Sequence, residues 1–175
     1  MFRPFRFVLP AVFSLLALPA AAQQENEVRD TIGAWDIVCQ PGTDACVMQQ
    51  VGKSAQGEDT IMMRITKVNA EAENGQVVPA VTEIFAPLGV VLTAGLRVQV
   101  DGGQVRGTAF VICLANGCLA QDSMSEEFIN DLKRGNSAKM LLVQPGAGEI
   151  GVNISLSGFT KAYNSLKAVA PTRRQ

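Results

Sequence analysis

The sequence predicts a mainly β domain, a β-sandwich of the immunoglobulin-like or a related kind, which carries one or two short helices. Three observations lead to this prediction. Apolar and polar residues alternate through much of the chain after residue 30, as they do in half-buried strands. Turn-forming residues interrupt the alternation at intervals of about ten residues, as is typical of sandwiches and barrels. Four cysteines form two closely spaced pairs, which suits a small domain braced by disulfides.

Residues 1–22 have the features of a cleavable signal peptide. Arg3 and Arg6 precede an apolar run at 7–18, and the alanines at 20–22 are the small residues that signal peptidase requires. The apolar run is too short for a transmembrane helix, which needs about 20 residues. We therefore expect cleavage at the end of this segment, no transmembrane segment afterwards, and a bacterial protein that is periplasmic or secreted. An uncleaved anchor is the alternative.

The rest of the chain has room for one domain. Residues 23–30 are polar and are expected to be flexible, 31–167 form the β domain, and 168–175 are expected to be a disordered tail. The 15 basic and 16 acidic residues nearly balance. A nucleic-acid-binding surface normally has a basic stripe, so this composition argues against a nucleic-acid partner.

The strands are predicted from alternation and from the turns between them. Asp101-Gly102-Gly103 is a strong hairpin-turn sequence. The predicted strands are 32–39, 46–51, 60–68, 77–85, 90–92, 96–100, 104–114, 118–121, 139–144 and 150–156.

A helix is predicted after the eighth of these strands. Ser123 to Glu126 has the spacing of a capping box, and Gly135 suits the position after a helix. The apolar residues of one helical face are Met124, Phe128, Ile129 and Leu132. Residues 157–166 are expected to form a second, shorter helix.

The cysteines are Cys39, Cys46, Cys113 and Cys118. Four cysteines in an exported chain indicate two disulfides, for which three pairings are possible. A turn-rich segment separates the members of each close pair, so we favour Cys39–Cys46 and Cys113–Cys118. A zinc site is the alternative, but neither pair has the two-residue knuckle spacing and the chain has no histidine. We therefore predict no metal site.

The residues of ordinary catalysis are largely missing. Without histidine the commonest general base is absent, and paired cysteines leave no thiolate. Two serine–lysine pairs remain as formal nucleophile and base, Ser137 with Lys139 and Ser165 with Lys167, although solvated lysines are the simpler interpretation. We predict no catalytic residues, so the protein is not expected to be an enzyme.

Two further features have a functional and a structural interpretation. Residues 146–151 match the dinucleotide-binding pattern of glycines, but a strand pattern follows where that motif needs a helix. We interpret them as a hairpin loop and predict no cofactor. Trp35 lies four residues before Cys39, where a core position beside a disulfide is the expectation and an exposed binding aromatic is the alternative.

Five segments occur in this order along the chain: Gly33-Ala-Trp-Asp-Ile-Val-Cys39, Pro87-Leu-Gly-Val-Val-Leu92, Gly95–Asp101, Cys113–Cys118 and Ser155-Leu-Ser-Gly-Phe159. Together they resemble the invasion-associated locus B family of exported Gram-negative bacterial proteins. The resemblance extends from about residue 31 to 166 and carries over no catalytic residues. It implies an exported single domain with a β-sandwich-like fold and an association with host-cell entry, hence with virulence.

The export signal and the empty catalytic inventory together predict a non-enzymatic interaction module of the cell envelope or secreted fraction. Its partner would be an unidentified protein or envelope component, bound at exposed sheet edges and loops. A periplasmic small-molecule or lipid carrier is the alternative, and a hydrolase that uses a serine–lysine pair is a third possibility.

Overall fold

The structure is a computed structural model that describes residues 27–54, 59–72 and 75–170. The predicted signal peptide, residues 23–26 and residues 171–175 lie outside the described residues. Two helices, α1 (Glu126–Arg134) and α2 (Phe159–Ser165), accompany a large sheet. The strands are β1 (Glu27–Ile32), β2 (Trp35–Cys39), β3 (Cys46–Lys53), β4 (Asp59–Glu71), β5 (Val77–Ala86), β6 (Leu96–Val100), β7 (Val105–Thr108), β8 (Phe110–Leu114), β9 (Gly117–Met124), β10 (Ser137–Gln144) and β11 (Gly148–Ser155).

All the strands belong to one antiparallel sheet, in the order β7-β6-β10-β11-β3-β4-β5-β9-β8, with β2 and then β1 attached beside β3. The two ends of this order, β7 and β8, are separated in sequence by Ala109 alone. The sheet therefore bends round on itself into a nearly closed barrel. The prediction of a β-sandwich is corrected, since a sandwich has two separate facing sheets.

The sheet nearly closes because of the segment 104–114, which was predicted as one strand. In the structure this segment is interrupted at Ala109 and forms two strands, β7 and β8, which pair with different neighbours. Leu96 pairs with Thr108 on β7, whereas Ala120 pairs with Phe110 on β8. One stretch of chain thus joins the two ends of the sheet and nearly closes the wall.

Strand alternation decides which residues fill the barrel. On β4, Ile61, Met63 and Ile65 point inward and are almost fully buried, whereas the residues between them point outward. Trp35 is a core residue, as predicted, and its ring packs edge-to-face on Phe159 of α2 with 5.3 Å between centroids. The two helices contribute further buried side chains, which are Phe128, Ile129, Leu132, Phe159, Ala162 and Tyr163.

The predicted helix α1 is present, but its N-terminal cap is Ser125 rather than Ser123. The Ser125 hydroxyl accepts a hydrogen bond from the Phe128 N–H at 3.2 Å. Ser123 is unavailable as the cap because β9 continues to Met124, and Ser123 pairs with Val81 of β5. Sheet pairing thus delays the start of the helix by two residues.

Three segment predictions differ from the structure. Residues 27–30 were expected to be flexible, but they belong to β1, whose exposed side chains suit an edge strand paired with β2. Val169, predicted to lie in a disordered tail, forms a parallel bridge with Val68, and its N–H donates to the Lys67 carbonyl at 3.0 Å. The predicted strand 90–92 is instead a loop that leads into a 3-10 turn, Leu92–Ala94.

Both disulfides join neighbouring antiparallel strands at directly opposite positions. Cys39 on β2 is bonded to Cys46 on β3, and Cys113 on β8 is bonded to Cys118 on β9. These are the pairs that the spacing favoured. Two structural disulfides fit an extracytoplasmic compartment, where oxidised cysteines persist. No helix in the described part of the chain is both long and apolar enough to cross a membrane.

Candidate interaction surface

The serine and lysine of each formal catalytic pair contact other groups. The Ser137 hydroxyl donates to Asp101 Oδ1 at 3.3 Å, and the aliphatic part of Lys139 lies over Gly151. The pKa of Asp101 is lowered by hydrogen bonds, first from the Asn136 N–H and then from the Ser137 N–H, so this carboxylate holds the start of β10.

The second pair is also separated. The Ser165 hydroxyl donates to the Ala162 carbonyl at 2.7 Å, and Lys167 Nζ donates to Asp44 Oδ2 at 2.7 Å. Lys167 lowers the pKa of Asp44 through that hydrogen bond and its charge. In this arrangement both polar ends point to partners outside the pair. The absence of enzyme activity stays a prediction.

The glycine-rich segment 146–151 lies at the β10–β11 hairpin, as predicted. The Ala147 N–H donates to the Gln144 carbonyl across the turn, and Gly146 and Gly148 have φ values of 80° and 76°. Glycine reaches this left-handed region without steric cost. These glycines therefore shape a turn between two strands.

The barrel wall has a cleft at the junction of β7 and β9. Within the described ranges β7 pairs with β6 alone, and its contact with β9 is a side-chain bond from Thr108 Oγ1 to the Gln121 carbonyl at 3.4 Å. The cleft has a volume of about 390 Å³, and its apolar floor is formed by Met63, Ile84 and Val98. An incompletely closed wall thus leaves a cleft above interior residues that are themselves almost fully buried.

Arg106 stands at the rim of this cleft. Its guanidinium lies 3.5 Å from a Glu127 carboxylate oxygen and 3.4 Å from one of Asp131, and its Cζ lies 5.0 Å from the centroid of the Phe128 ring. Two carboxylates therefore face one cation here. The rim offers no excess positive charge to an anionic ligand.

A larger feature occupies the outward side of β3, β4, β5, β9 and β8, which we call the outer face. One row of five residues crosses these strands, and each residue is the register partner of the next. With strands about 4.8 Å apart, the row is about 19 Å long. This apolar row consists of Val51, Met62, Phe85, Leu119 and Ile112.

The apolar row is open to solvent, most of all at its ends. Val51 is 45% exposed and Ile112 is 49% exposed, and the three residues between them are half-buried. Val111 and Leu114, on the same edge strand β8, are each 56% exposed. A contiguous exposed apolar surface of this kind makes the outer face a candidate interaction surface.

A polar row lies beside the apolar row, two residues along each strand. It consists of Gln49, Arg64, Glu83 and Gln121, again in direct register. Arg64 is held loosely: Nη1 lies 4.0 Å from Glu83 Oε2, Nη2 lies 3.4 Å from Gln49 Oε1, and Nε is buried with no hydrogen-bond partner. The guanidinium also lies 5.5 Å from the Phe85 ring centroid.

Sequence reasoning placed a partner at sheet edges and loops and missed the outer face. A signal was present in the segments Ile61-Met62-Met63, Ile84-Phe85-Ala86 and Cys118-Leu119-Ala120. In a strand with one solvated face the middle residue of each triplet should be polar. Three consecutive apolar residues therefore indicate a strand that is apolar on both faces.

Comparison with known proteins identifies the family of this chain. The family model of the invasion associated locus B (IalB) protein matches residues 35–167, most of the chain. The chain belongs to the IalB family. This IalB-family chain is also similar in structure to invasion associated protein B of Bartonella henselae, with a TM-score of 0.61 and 24% identity over 77% of this chain and 92% of that chain. At that identity the likeness shows the fold alone. No curated protein matches the chain.

Proposed function

We propose that this IalB-family protein is an exported, non-enzymatic interaction module of the cell envelope or secreted fraction, of the kind associated with host-cell invasion. The observation that carries the proposal is the apolar row on the outer face. Burial of such a row against a partner removes apolar surface from water, which contributes about 25 cal/mol for each Å². Specificity would come from the polar row beside it.

Export is supported by independent features of the chain. Residues 1–22 have the composition of a signal peptide. Both cysteine pairs are oxidised in the structure and no cysteine is left free in the described part of the chain. The fold can therefore use disulfides that a reducing cytosol would not maintain.

Site-specific photo-crosslinking in the producing bacterium tests the interaction proposal. A photoreactive residue at Met62 samples the centre of the outer face, and one at Lys139, outward and exposed on β10, is the matched control. We expect a discrete crosslinked species from position 62 and none from position 139. Equal crosslinking at both positions, or none at either, would reject the outer face as the interaction surface.

The cleft between β7 and β9 supports a second candidate function, that of a periplasmic carrier of a small apolar molecule. Its apolar floor and its volume of about 390 Å³ fall within the range of small-ligand sites. Native mass spectrometry of protein purified from the envelope tests this function. A stoichiometric adduct that is lost in Val98→Phe, which fills the floor, supports it, and an adduct-free mass rejects it.

A further inference from the structure

The polar row is complementary to a copy of itself that runs in the reversed order. Read across β3, β4, β5 and β9, it runs Gln49, Arg64, Glu83, Gln121. Reversing the order places each glutamine on a glutamine, Arg64 on Glu83, and Glu83 on Arg64. A second copy that meets this row in reversed order would therefore be complementary to it at every position.

One two-fold axis produces this reversal. It lies parallel to the strands, between the two copies and midway between β4 and β5. Such an axis reverses the order of strands and keeps each row opposite its own copy. A two-fold axis in the same plane but perpendicular to the strands would keep the strand order and place Arg64 against Arg64, which repels.

The same axis matches the apolar row with no further adjustment. It sets Met62 against Phe85 of the second copy and Val51 against Leu119. The row on the other side of the polar row contains Thr66 beside Val81, and these would also face each other. The apolar row and the polar row are thus each self-complementary, as an isologous interface requires.

We infer, on the basis of the proposed function, that a second copy of this chain occupies the outer face, in a two-fold dimer that pairs Arg64 of each copy with Glu83 of the other. The contacts of Arg64 within its own chain are long, so its guanidinium can donate a further hydrogen bond. Its Nη1 lies 4.0 Å from Oε2 of its own Glu83, which is long for a hydrogen bond. A carboxylate from the second copy would supply a charge-assisted bond.

The interface is small, because the outward side of a barrel is convex and β4 and β5 approach the other copy most closely. Interfaces below about 1,200 Å² of total buried area are typically weak or transient. The dimer is therefore expected to form at high micromolar concentrations, such as those reached when the protein is confined in an envelope compartment.

Charge reversal tests the pairing. Arg64→Glu would place a carboxylate opposite Glu83 of the other copy at both contacts, and Glu83→Arg would place a guanidinium opposite Arg64 at both contacts. We expect either change to raise the dimer dissociation constant about tenfold or more, measured by sedimentation equilibrium of envelope-purified protein with intact disulfides. The double reversal, Arg64→Glu with Glu83→Arg, should restore it to within about threefold of the original.

A mixture of the two single variants gives the most direct test of the pairing between Arg64 and Glu83. Each alone repels itself, but a copy with Arg64→Glu and a copy with Glu83→Arg are complementary at both contacts. We expect the differently tagged variants to form a mixed dimer, and circular dichroism melts to show that each single variant is folded. A wild type that stays monomeric at every concentration, or one that dimerises while the mixture does not, would overturn the inference.

A failure of the dimer inference can be distinguished from a failure of the proposed function. A monomeric wild type whose position 62 still crosslinks to another protein in the bacterium would remove the second copy and keep the interaction module. A dimer whose position 62 crosslinks to a second copy supports both.

Discussion

The side-chain amide of Gln50 hydrogen-bonds both backbone groups of Ser155. Gln50 Nε2 donates to the Ser155 carbonyl at 2.9 Å, and the Ser155 N–H donates to Gln50 Oε1 at 2.7 Å. The one backbone register pair described between β3 and β11 is Asn153 with Lys53. A glutamine side chain thus takes the place of the backbone ladder at the point where the two strands separate.

Replacement of this amide should weaken the junction of β3 and β11. Gln50→Leu removes both hydrogen bonds and leaves the Ser155 N–H and carbonyl to find water. We expect a loss of about 1–2 kcal/mol in the free energy of unfolding, measured by urea denaturation. Gln104→Leu, an exposed glutamine in the β6–β7 connection, is the control and should change stability by less than about 0.5 kcal/mol. Equal effects of the two variants would contradict the role of Gln50.

Gly135 should tolerate no larger residue, for reasons of space rather than backbone conformation. Its φ of −77° is open to any residue, but an added Cβ would lie 2.5 Å from Val100 Cγ1 and 2.9 Å from Leu156 Cδ1. We expect Gly135→Ala to destabilise the protein by about 1–3 kcal/mol through overpacking.

Gly107 supplies the matched control for that substitution. It lies in β7 with no atom within 4 Å of an added Cβ, and its φ is not positive. Gly107→Ala should leave the thermal midpoint unchanged or raise it slightly. A loss at Gly107 as large as that at Gly135 would contradict a steric cause.

Asp101 should make stability depend on pH below neutrality. Its pKa is lowered in the folded protein, chiefly by hydrogen bonds from the Asn136 and Ser137 N–H groups. A depressed folded-state pKa contributes stability that is present above the unfolded value, 3.8, and is lost as pH falls through the folded value. Asp101→Asn keeps a side chain that tolerates the left-handed φ of 43°.

We therefore expect Asp101→Asn to be less stable than the wild type at pH 7, with the difference shrinking below about pH 4. Urea unfolding of both proteins at a series of pH values measures this difference in the free energy of unfolding. A difference that is constant from pH 7 to pH 2 would show that the charge of Asp101 does not contribute.

Ser137 and Lys139 lie on the same side of β10 and offer the one opening for serine–lysine chemistry on that strand. Ser137 instead donates to Asp101. We expect a serine-reactive probe not to label Ser137, and Ser137→Ala and Lys139→Ala to leave folding and any cellular phenotype unchanged. Labelling of Ser137 that disappears in Lys139→Ala would establish a reactive serine and contradict the non-enzymatic proposal.

Sequence alone predicted the local elements well, since their causes are local. Alternation of period two located most strands, and the hairpin turn at 101–103 joins β6 to β7 as expected. The capping-box spacing and the apolar face of α1 indicated a helix, and close spacing made Cys39–Cys46 and Cys113–Cys118 the favoured disulfides.

Tertiary structure decided how these elements are joined. Both halves of 104–114 have a strand pattern, and nothing in that pattern says that one half pairs with β6 and the other with β9. The outer face also depends on strand pairing that the sequence does not show. Met62, Phe85 and Leu119 are visible in the sequence as apolar residues at outward positions, but only pairing across distant strands sets them side by side. Because a slip of one residue turns every side chain of a strand to the opposite face, register determines that surface, and register is a property of the assembled sheet.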